Sequence, residues 1–421
     1  MVEIDSLLRA LVEQGGSDLH MKVGSPPLGR VHGELRPLAV EPLAPDQTVG
    51  AVNHMLTDPG RLSEFAEERE VDFSYAIDGV ARFRVNAFHQ RGSVSIVCRA
   101  IPEDVKTLDD LQLPPVLREL AEEERGIILL TGTTGSGKST TLAAIIDHIN
   151  RTRAEHIVTI EDPIEFLHKD KSSAINQREV GSDTASFGRA LRRVLRQDPD
   201  VILIGEMRDE ETVHTALSAA ETGHLVLSTL HTIDAPETVN RIVDFFPPHQ
   251  QQQARAMLAG TLKGVISQRL VPTPDGRGRV ATCEILRMTG RAKDMILDPE
   301  QTGRLREVIA EGEFYGMQTF DQALLHHVQA GRVSMEEATR VATSPHDFKL
   351  LVAAEGRVAT SMDDVGGGQA ARAPEPREER EPVGVAAEPP APPPAPAAPR
   401  PPAPAPPSGP APSMAPPGFG S

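Results

Sequence analysis

The residues Gly132-Thr-Thr-Gly-Ser-Gly-Lys-Ser139 stand directly between a short apolar run, Ile127 to Thr131, and a helical stretch, Thr140 to Ile149. A glycine-rich turn closed by lysine and serine, entered from a strand and left through a helix, is the P-loop in the context its chemistry requires. It commits the surrounding chain to an α/β architecture with a parallel sheet, because the strand feeding it is apolar on both faces. The glycines Gly132, Gly135 and Gly137 let the backbone N–H groups of the loop, with those of Thr133, Thr134 and Ser136, wrap a nucleotide's β-phosphate. Lys138 then sits between the β- and γ-phosphates, the Ser139 hydroxyl reaches Mg²⁺, and Thr140 continues the helix whose N-terminus faces the anion.

Three further segments repeat the pattern of continuous apolar strands: Ile157 to Ile160, Val201 to Ile204 and Leu225 to Thr229. Helical stretches such as Thr141 to Ile149 and Phe187 to Leu195 separate them. Asp200-Val-Ile-Leu-Ile-Gly-Glu206 delivers Glu206 to the carboxyl edge of such a sheet, where ligands of open parallel sheets bind, and makes it the candidate for the metal-facing Walker B carboxylate. Thr159-Ile-Glu-Asp-Pro-Ile-Glu165 crowds three carboxylates into five residues; one of them is placed to orient water, and composition does not choose between Glu161, Asp162 and Glu165. Gly223-His-Leu-Val-Leu-Ser-Thr-Leu-His231 puts His224 and His231 at opposite ends of one strand.

The first hundred residues follow a different pattern. Ile4, Leu7, Leu8, Leu11 and Val12 have helical spacing that Gly15-Gly16 ends. Val80 to Phe88 alternates with period two, Phe83, Val85 and Ala87 on one face and Arg82, Arg84 and Asn86 on the other; Ser93 to Arg99 alternates likewise and carries Arg99. These segments predict an α+β domain over 1–100, joined through a linker at 101–106 to a P-loop domain at 107–290. A helical region is expected at 291–356, marked by the capping patterns Thr319-Phe-Asp-Gln322, Ser334-Met-Glu-Glu337 and Ser344-Pro345. Nineteen of the 37 prolines lie between Pro374 and Pro417, so 357–421 reads as a disordered Pro/Ala-rich tail.

Composition excludes several classes. The net charge is −17, and only two of those units fall after residue 356, so the folded body is acidic and unsuited to binding a phosphate backbone; no nucleic-acid partner is expected. Two distant cysteines, Cys98 and Cys283, make neither a zinc pair nor a disulfide framework, and no apolar run approaches a membrane span. A cytoplasmic protein is expected.

The P-loop, the acidic box Thr159 to Phe166, the stretch Leu195-Arg-Gln-Asp-Pro-Asp-Val-Ile-Leu-Ile-Gly-Glu-Met-Arg-Asp209 and the histidine box Thr222 to Thr232 together resemble the type II/type IV secretion ATPases. Gly16-Ser-Asp-Leu-His20, Val80 to Phe88, Val265-Ile-Ser-Gln268 and Gly316-Met-Gln-Thr319 are similar to the twitching-motility subgroup, and the resemblance covers about residues 1 to 350. It implies an N-terminal PAS-like domain on a RecA-like ATPase domain, a homohexameric ring with ATP bound between subunits and Mg²⁺ beside it, and a role in pilus retraction. It also implies action on an inner-membrane pilus platform protein, with peripheral membrane association through that partner alone. Carried onto this sequence, it makes Glu165 the catalytic base and Glu206 the Walker B glutamate. His231 then faces the γ-phosphate, His224 belongs to the same histidine box, and Arg82, Arg84 and Arg99 are the pool of N-terminal arginines completing the site. One stretch departs from the subgroup: Arg291-Ala-Lys-Asp-Met-Ile-Leu-Asp298 stands where retraction ATPases carry A-I-R-N-L-I-R-E, which keeps an accessory role in view. An assembly or secretion ATPase, and a non-hydrolysing scaffold acting through the tail, are the other readings. The assembly type's paired-cysteine element is missing from this sequence.

Overall fold

Two β-sheets organise the chain. In the computed structural model, which describes residues 3–39 and 41–363, they belong to one unit ending at Met362. Of the disordered Pro/Ala-rich tail expected over 357–421, residues 357–363 instead complete the helix Pro345–Asp363, and the remainder lies outside the described residues.

The first sheet holds β1 (Gly16–Lys22), β2 (Leu28–Val31), β3 (Glu34–Pro37), β4 (Glu70–Ile77), β5 (Ala81–Gln90) and β6 (Ser93–Ile101), in the order β3-β2-β1-β6-β5-β4 with antiparallel neighbours. The period-two pattern of β5 is realised in three dimensions: Phe83, Val85 and Ala87 are fully buried. Opposite them, β6 contributes Ile96 and Cys98 to the same core, with Arg84 paired to Arg99 in register. The helix Ile4–Glu13 closes this core with Ile4, Leu7, Leu8 and Leu11, and ends where Gly15 adopts φ 66°, a left-handed conformation that glycine takes without strain.

Beyond Ile101, residues 102–106 carry no regular element. The second sheet is built from β7 (Gly126–Thr131), β8 (His156–Glu161), β9 (Ala174–Glu179), β10 (Val201–Ile204), β11 (Leu225–Leu230), β12 (Leu262–Pro272) and β13 (Arg279–Arg287). Its order is β13-β12-β7-β11-β10-β8-β9, parallel except for β13, which runs antiparallel to β12. Side chains of β7 alternate between two cores, Ile127 and Leu129 toward one face, Ile128 and Leu130 toward the other. This double burial is why the strand reads as an unbroken apolar run. The helix Lys138–Thr152 packs on one face; Glu210–Glu221, Ala235–Asp244 and Gln251–Thr261 pack on the other.

The C-terminal capping patterns form at all three helices, but the box at Ser334 closes from one side only, because the Glu337 side chain turns to Arg340. Thr319 and Gln322 form a reciprocal capping box, Ser334 accepts from Glu337 N at 3.2 Å, and Ser344 accepts from Asp347 N at 3.3 Å. Among the described residues no helix is long and apolar enough to cross a membrane.

One buried carboxylate ties the second sheet to the turn after β11. Glu284 of β13, 8% exposed, accepts from Ala235 N at 3.0 Å at the start of the helix Ala235–Asp244. Burial lifts its carboxyl to about 7, with the Asp234 charge adding to the rise and Arg306 and Arg269 opposing it. A raised folded-state value means that stability is fully present below the unfolded glutamate range and is lost as pH rises through about 7. A glutamine keeps the acceptor for Ala235 N and cannot ionise. Glu284→Gln is therefore expected to match the wild type at pH 4 and to exceed it at pH 8, by up to roughly 3 kcal/mol, read from urea midpoints at the two pH values; equal midpoints at both would show that Glu284 does not titrate in this range.

Candidate nucleotide site

β7 runs directly into the P-loop, where Gly132, Gly135 and Gly137 take φ of 140°, 79° and 89°. Space decides two of these positions as well. A Cβ at Gly132 would lie 2.4 Å from Gln268 O, and one at Gly137 would lie 2.7 Å from Gln268 Nε2, because β12 passes close behind the loop. At Gly135 nothing stands within 4 Å, so that glycine serves the backbone conformation alone. Gln268 holds the loop through both ends of its amide: Nε2 donates to Ser136 O at 2.8 Å, and Oε1 accepts from the Thr141 hydroxyl at 2.8 Å on the P-loop helix. It is buried. The neighbouring Ser267 accepts a hydrogen bond from Thr131 at 3.0 Å.

Lys138 Nζ donates to Gly132 O at 2.7 Å and to Thr133 O at 3.2 Å. Burial pulls its ammonium below the usual lysine value, and the charges of Glu206 and Glu165 act in the opposite sense. The loop faces a cavity of about 410 Å³, within the size range of small-molecule sites. Lys138, Ser139 and Thr140 line one wall, and Glu161, Asp162, Glu165, Glu206 and His231 line the other.

The parallel sheet brings these groups together. β8, β10 and β11 run in the same direction as β7, so their carboxyl ends meet on the P-loop edge. Gly205 lets β10 and β8 close up there, its missing Cβ lying 3.3 Å from Glu161 Cα, and the Thr229 hydroxyl donates to Gly205 O at 2.7 Å. Glu206 is held from two sides: His231 Nε2 lies 3.0 Å from Oε1, while Arg208 donates to Oε2 from Nε at 2.9 Å. The pairing with Glu206 also holds the Arg208 guanidinium above its usual value.

The three carboxylates of the acidic box, equivalent by composition, have different surroundings. Glu161 accepts from the Thr159 hydroxyl at 2.6 Å and from Gln177 Nε2 at 3.2 Å, and burial pushes its carboxyl up. Asp162 lies 3.8 Å from Arg208. Glu165 is exposed, lines the cavity, and among the described residues accepts no hydrogen bond on its carboxylate.

The remaining expected site residues fall elsewhere in this chain. His224 sits at the amino end of β11, its Nδ1 2.9 Å from Ala219 O, beside a different cleft lined by Glu122, Glu124 and Arg153. A strand of six residues separates it from His231, so the two histidines of one box cannot serve one cavity within the chain. Arg82 reaches Glu179 at 3.4 Å, Arg84 lies 3.9 Å from Asp72, and Arg99 donates to Asp18 at 2.7 Å. None of the three lines the P-loop cavity. Within the chain the cavity also holds Arg208 and Arg279, which motif spacing did not single out. Arg208 stands two residues after Glu206 and had a signal in that adjacency; Arg279 enters only through the antiparallel return of β13, which no local pattern announces.

With this geometry, the relatives of the chain are informative. Residues 70–345 match the family described as Type II/IV secretion system protein. The type IV pilus retractation ATPase PilT of Pseudomonas aeruginosa is 45% identical over 347 residues, which cover 82% of this chain and 100% of that protein. The type IV pilus ATPase PilU of the same organism is 44% identical over 351 residues, 83% of this chain and 91% of PilU. Among solved structures, the pilus retraction motor PilT with bound ADP superposes with a TM-score of 0.75 at 44% identity, covering 82% of this chain and 99% of that one. Matched over its P-loop, acidic box, Walker B strand and histidine box alike, the chain belongs to the Type II/IV secretion system protein family.

Proposed function

We propose that this chain is an ATP-hydrolysing motor of type IV pilus retraction, working as a homohexamer at the inner face of the cytoplasmic membrane through a pilus platform protein. The observation that carries the reading is the P-loop cavity. An unengaged carboxylate, Glu165, and a doubly held one, Glu206, stand within electrostatic reach of Lys138, in a chain alignable over the whole length of a pilus retraction ATPase.

Phosphoryl transfer to water needs positioned charge more than covalent chemistry. The P-loop N–H groups and the helix Lys138–Thr152 hold the β-phosphate, and Lys138 moves from the loop carbonyls to the β- and γ-oxygens. Four carboxylates against Lys138, Arg208 and Arg279 leave the cavity with an excess of negative charge before any phosphate enters. The Ser139 hydroxyl and the Glu206 carboxylate are oxygen donors of the kind Mg²⁺ selects, so they are the residues that would hold it. The ion would neutralise charge on the phosphates. Glu165 orients the attacking water and accepts its proton, and His231, fixed by Glu206, faces the γ-phosphate. Arg208 supplies cationic charge from within the chain.

A second reading has its own support. The near-equal identity to PilU and the altered stretch Arg291 to Asp298 favour an accessory retraction ATPase. In this chain that stretch forms the helix Gly290–Leu297, which buries Ala292, Met295 and Ile296 and pairs Arg291 with Glu311. Deletion of the gene distinguishes the readings: excess surface pili follow loss of the main retraction motor, a wild-type pilus number with weakened retraction follows loss of an accessory one, and absence of pili would overturn both.

Glu165→Gln is expected to keep nucleotide affinity while turnover falls by roughly 10²–10⁴-fold, the usual contribution of a positioned base. Glu161→Gln should do less to the chemical step, because its carboxylate already serves the turn; phosphate release under saturating ATP ranks the two, and the reverse order would move the base to Glu161.

Gln268→Leu leaves Ser136 O and the Thr141 hydroxyl without their buried partner. An unmet buried group costs about 1–3 kcal/mol, which predicts nucleotide binding weakened roughly 10–100-fold in a titration with a fluorescent ADP analogue. Unchanged binding would show that the glycines alone hold the loop.

A further inference from the structure

The acidic turn that carries Glu165 is gripped from β9, the edge strand beside β8. Gln177 and Glu179 share one face of β9 and both reach the backbone of this turn. Gln177 accepts from His168 N at 2.8 Å and donates to Phe166 O at 2.9 Å. Glu179 accepts from Ile164 N at 3.2 Å, one residue before Glu165.

Glu179 is 4% exposed, and the bond to Ile164 is only part of its coordination. Its Oε1 accepts from the Ser74 hydroxyl at 2.5 Å and from the Ser182 hydroxyl at 3.2 Å, and its Oε2 lies 3.4 Å from the Arg82 guanidinium. Ser74 belongs to β4 and Arg82 to β5, so both donors come from the first sheet. A buried carboxylate thus joins Ser74 and Arg82 of the first sheet, 105 and 97 residues away in sequence, to Ser182 and to the candidate base's own turn. The same turn touches the exit of the first sheet again, where Leu167 N donates to Pro102 O at 3.2 Å. A buried carboxylate that loses a donor is costly, so its partners move together or rearrange together.

From this arrangement we infer that Glu179 is a positioning residue that couples the placement of Glu165 to the first sheet. When Ser74 and Arg82 engage Glu179, the turn is held with Glu165 facing the cavity; when the first sheet shifts, Glu179 loses donors and the turn is released. Hydrolysis is thereby made conditional on the position of the N-terminal sheet. The inference rests on the proposed role of Glu165, and it adds a partner that contacts neither phosphate nor water.

The experiment is a kinetic double-mutant cycle on the full chain. Glu179→Gln and Ser74→Ala are each expected to lower kcat by roughly 10–100-fold, the scale of a misplaced reacting group. The KM for ATP should stay within about twofold, since the P-loop is untouched, while the melting temperature falls more for Glu179→Gln than for Ser74→Ala. The double variant should be no slower than the worse single one, because both changes break one link. Wild-type kcat in Ser74→Ala, or effects of the two changes that multiply, would overturn the coupling. Ser74→Ala removes one hydroxyl from a half-buried position, so it remains informative if a change at Glu179 prevents folding. Glu165→Gln is measured alongside. If it is inactive while Ser74→Ala is fully active, the coupling fails and the base stands; if Glu165→Gln turns over at the wild-type rate, the base assignment fails and the coupling falls with it.

Discussion

A phosphate cradle requires a backbone turned inside out, with N–H groups facing the ligand and carbonyls facing the protein, and those carbonyls need partners. Here Lys138 donates to Gly132 O and Thr133 O, and one side chain of the neighbouring strand takes the carbonyl of Ser136. Gln268 gives its amide N–H to Ser136 O and its oxygen to Thr141, and β12 lies so close that Gly132 and Gly137 tolerate no Cβ. The loop is therefore a product of two adjacent strands as much as of its own glycines. The position of β12 beside β7 follows from apolar side chains of both strands facing the two cores of the sheet.

The same sheet solves a problem of charge. Four carboxylates facing one cavity repel each other, and in this chain they are separated by environment. Glu161 is drawn into hydrogen bonds with Thr159 and Gln177, Asp162 leans toward Arg208, and Glu206 is bracketed by Arg208 and His231. Glu165 alone of the four is left facing the cavity with neither a hydrogen bond nor an ion pair on its carboxylate among the described residues. Groups of the same chemistry acquire different work because their neighbours differ, three of them within one turn at the end of β8. The candidate base is the one that the scaffold does not use.

Contact between the two sheets adds a further dependence. The acidic turn is supported from β9 on one side and from the first sheet on the other, through Glu179, Ser74 and Arg82. A site supported in this way is sensitive to movements of a neighbouring sheet without any nucleotide contact from that sheet. Arginines of β5 and β6 that look like phosphate ligands in isolation are, in this chain, partners of Glu179, Asp72 and Asp18.

Local rules made much of this legible. The P-loop, the apolar strands β7, β8, β10 and β11, the alternation of β5 and the caps at Thr319, Ser334 and Ser344 each depend on residues close together in the chain, and each is visible without a structure. β9 was not legible, because an edge strand reading Ala-Ile-Asn-Gln-Arg-Glu needs little apolar content and looks like a loop. The pairing of β12 with β7, the return of Arg279 into the cavity and the bridge at Glu179 were hidden for a related reason: each joins segments by hydrogen bonds or approach across many residues, leaving no periodic trace. Local sequence was enough to reveal which chemistry is available, namely a phosphate cradle, a glutamate at a strand end and a cluster of carboxylates. Only the tertiary structure decided which carboxylate stays free, which histidine shares the cavity and where the N-terminal arginines point, because charge and burial are properties of neighbours that the chain acquires when it folds.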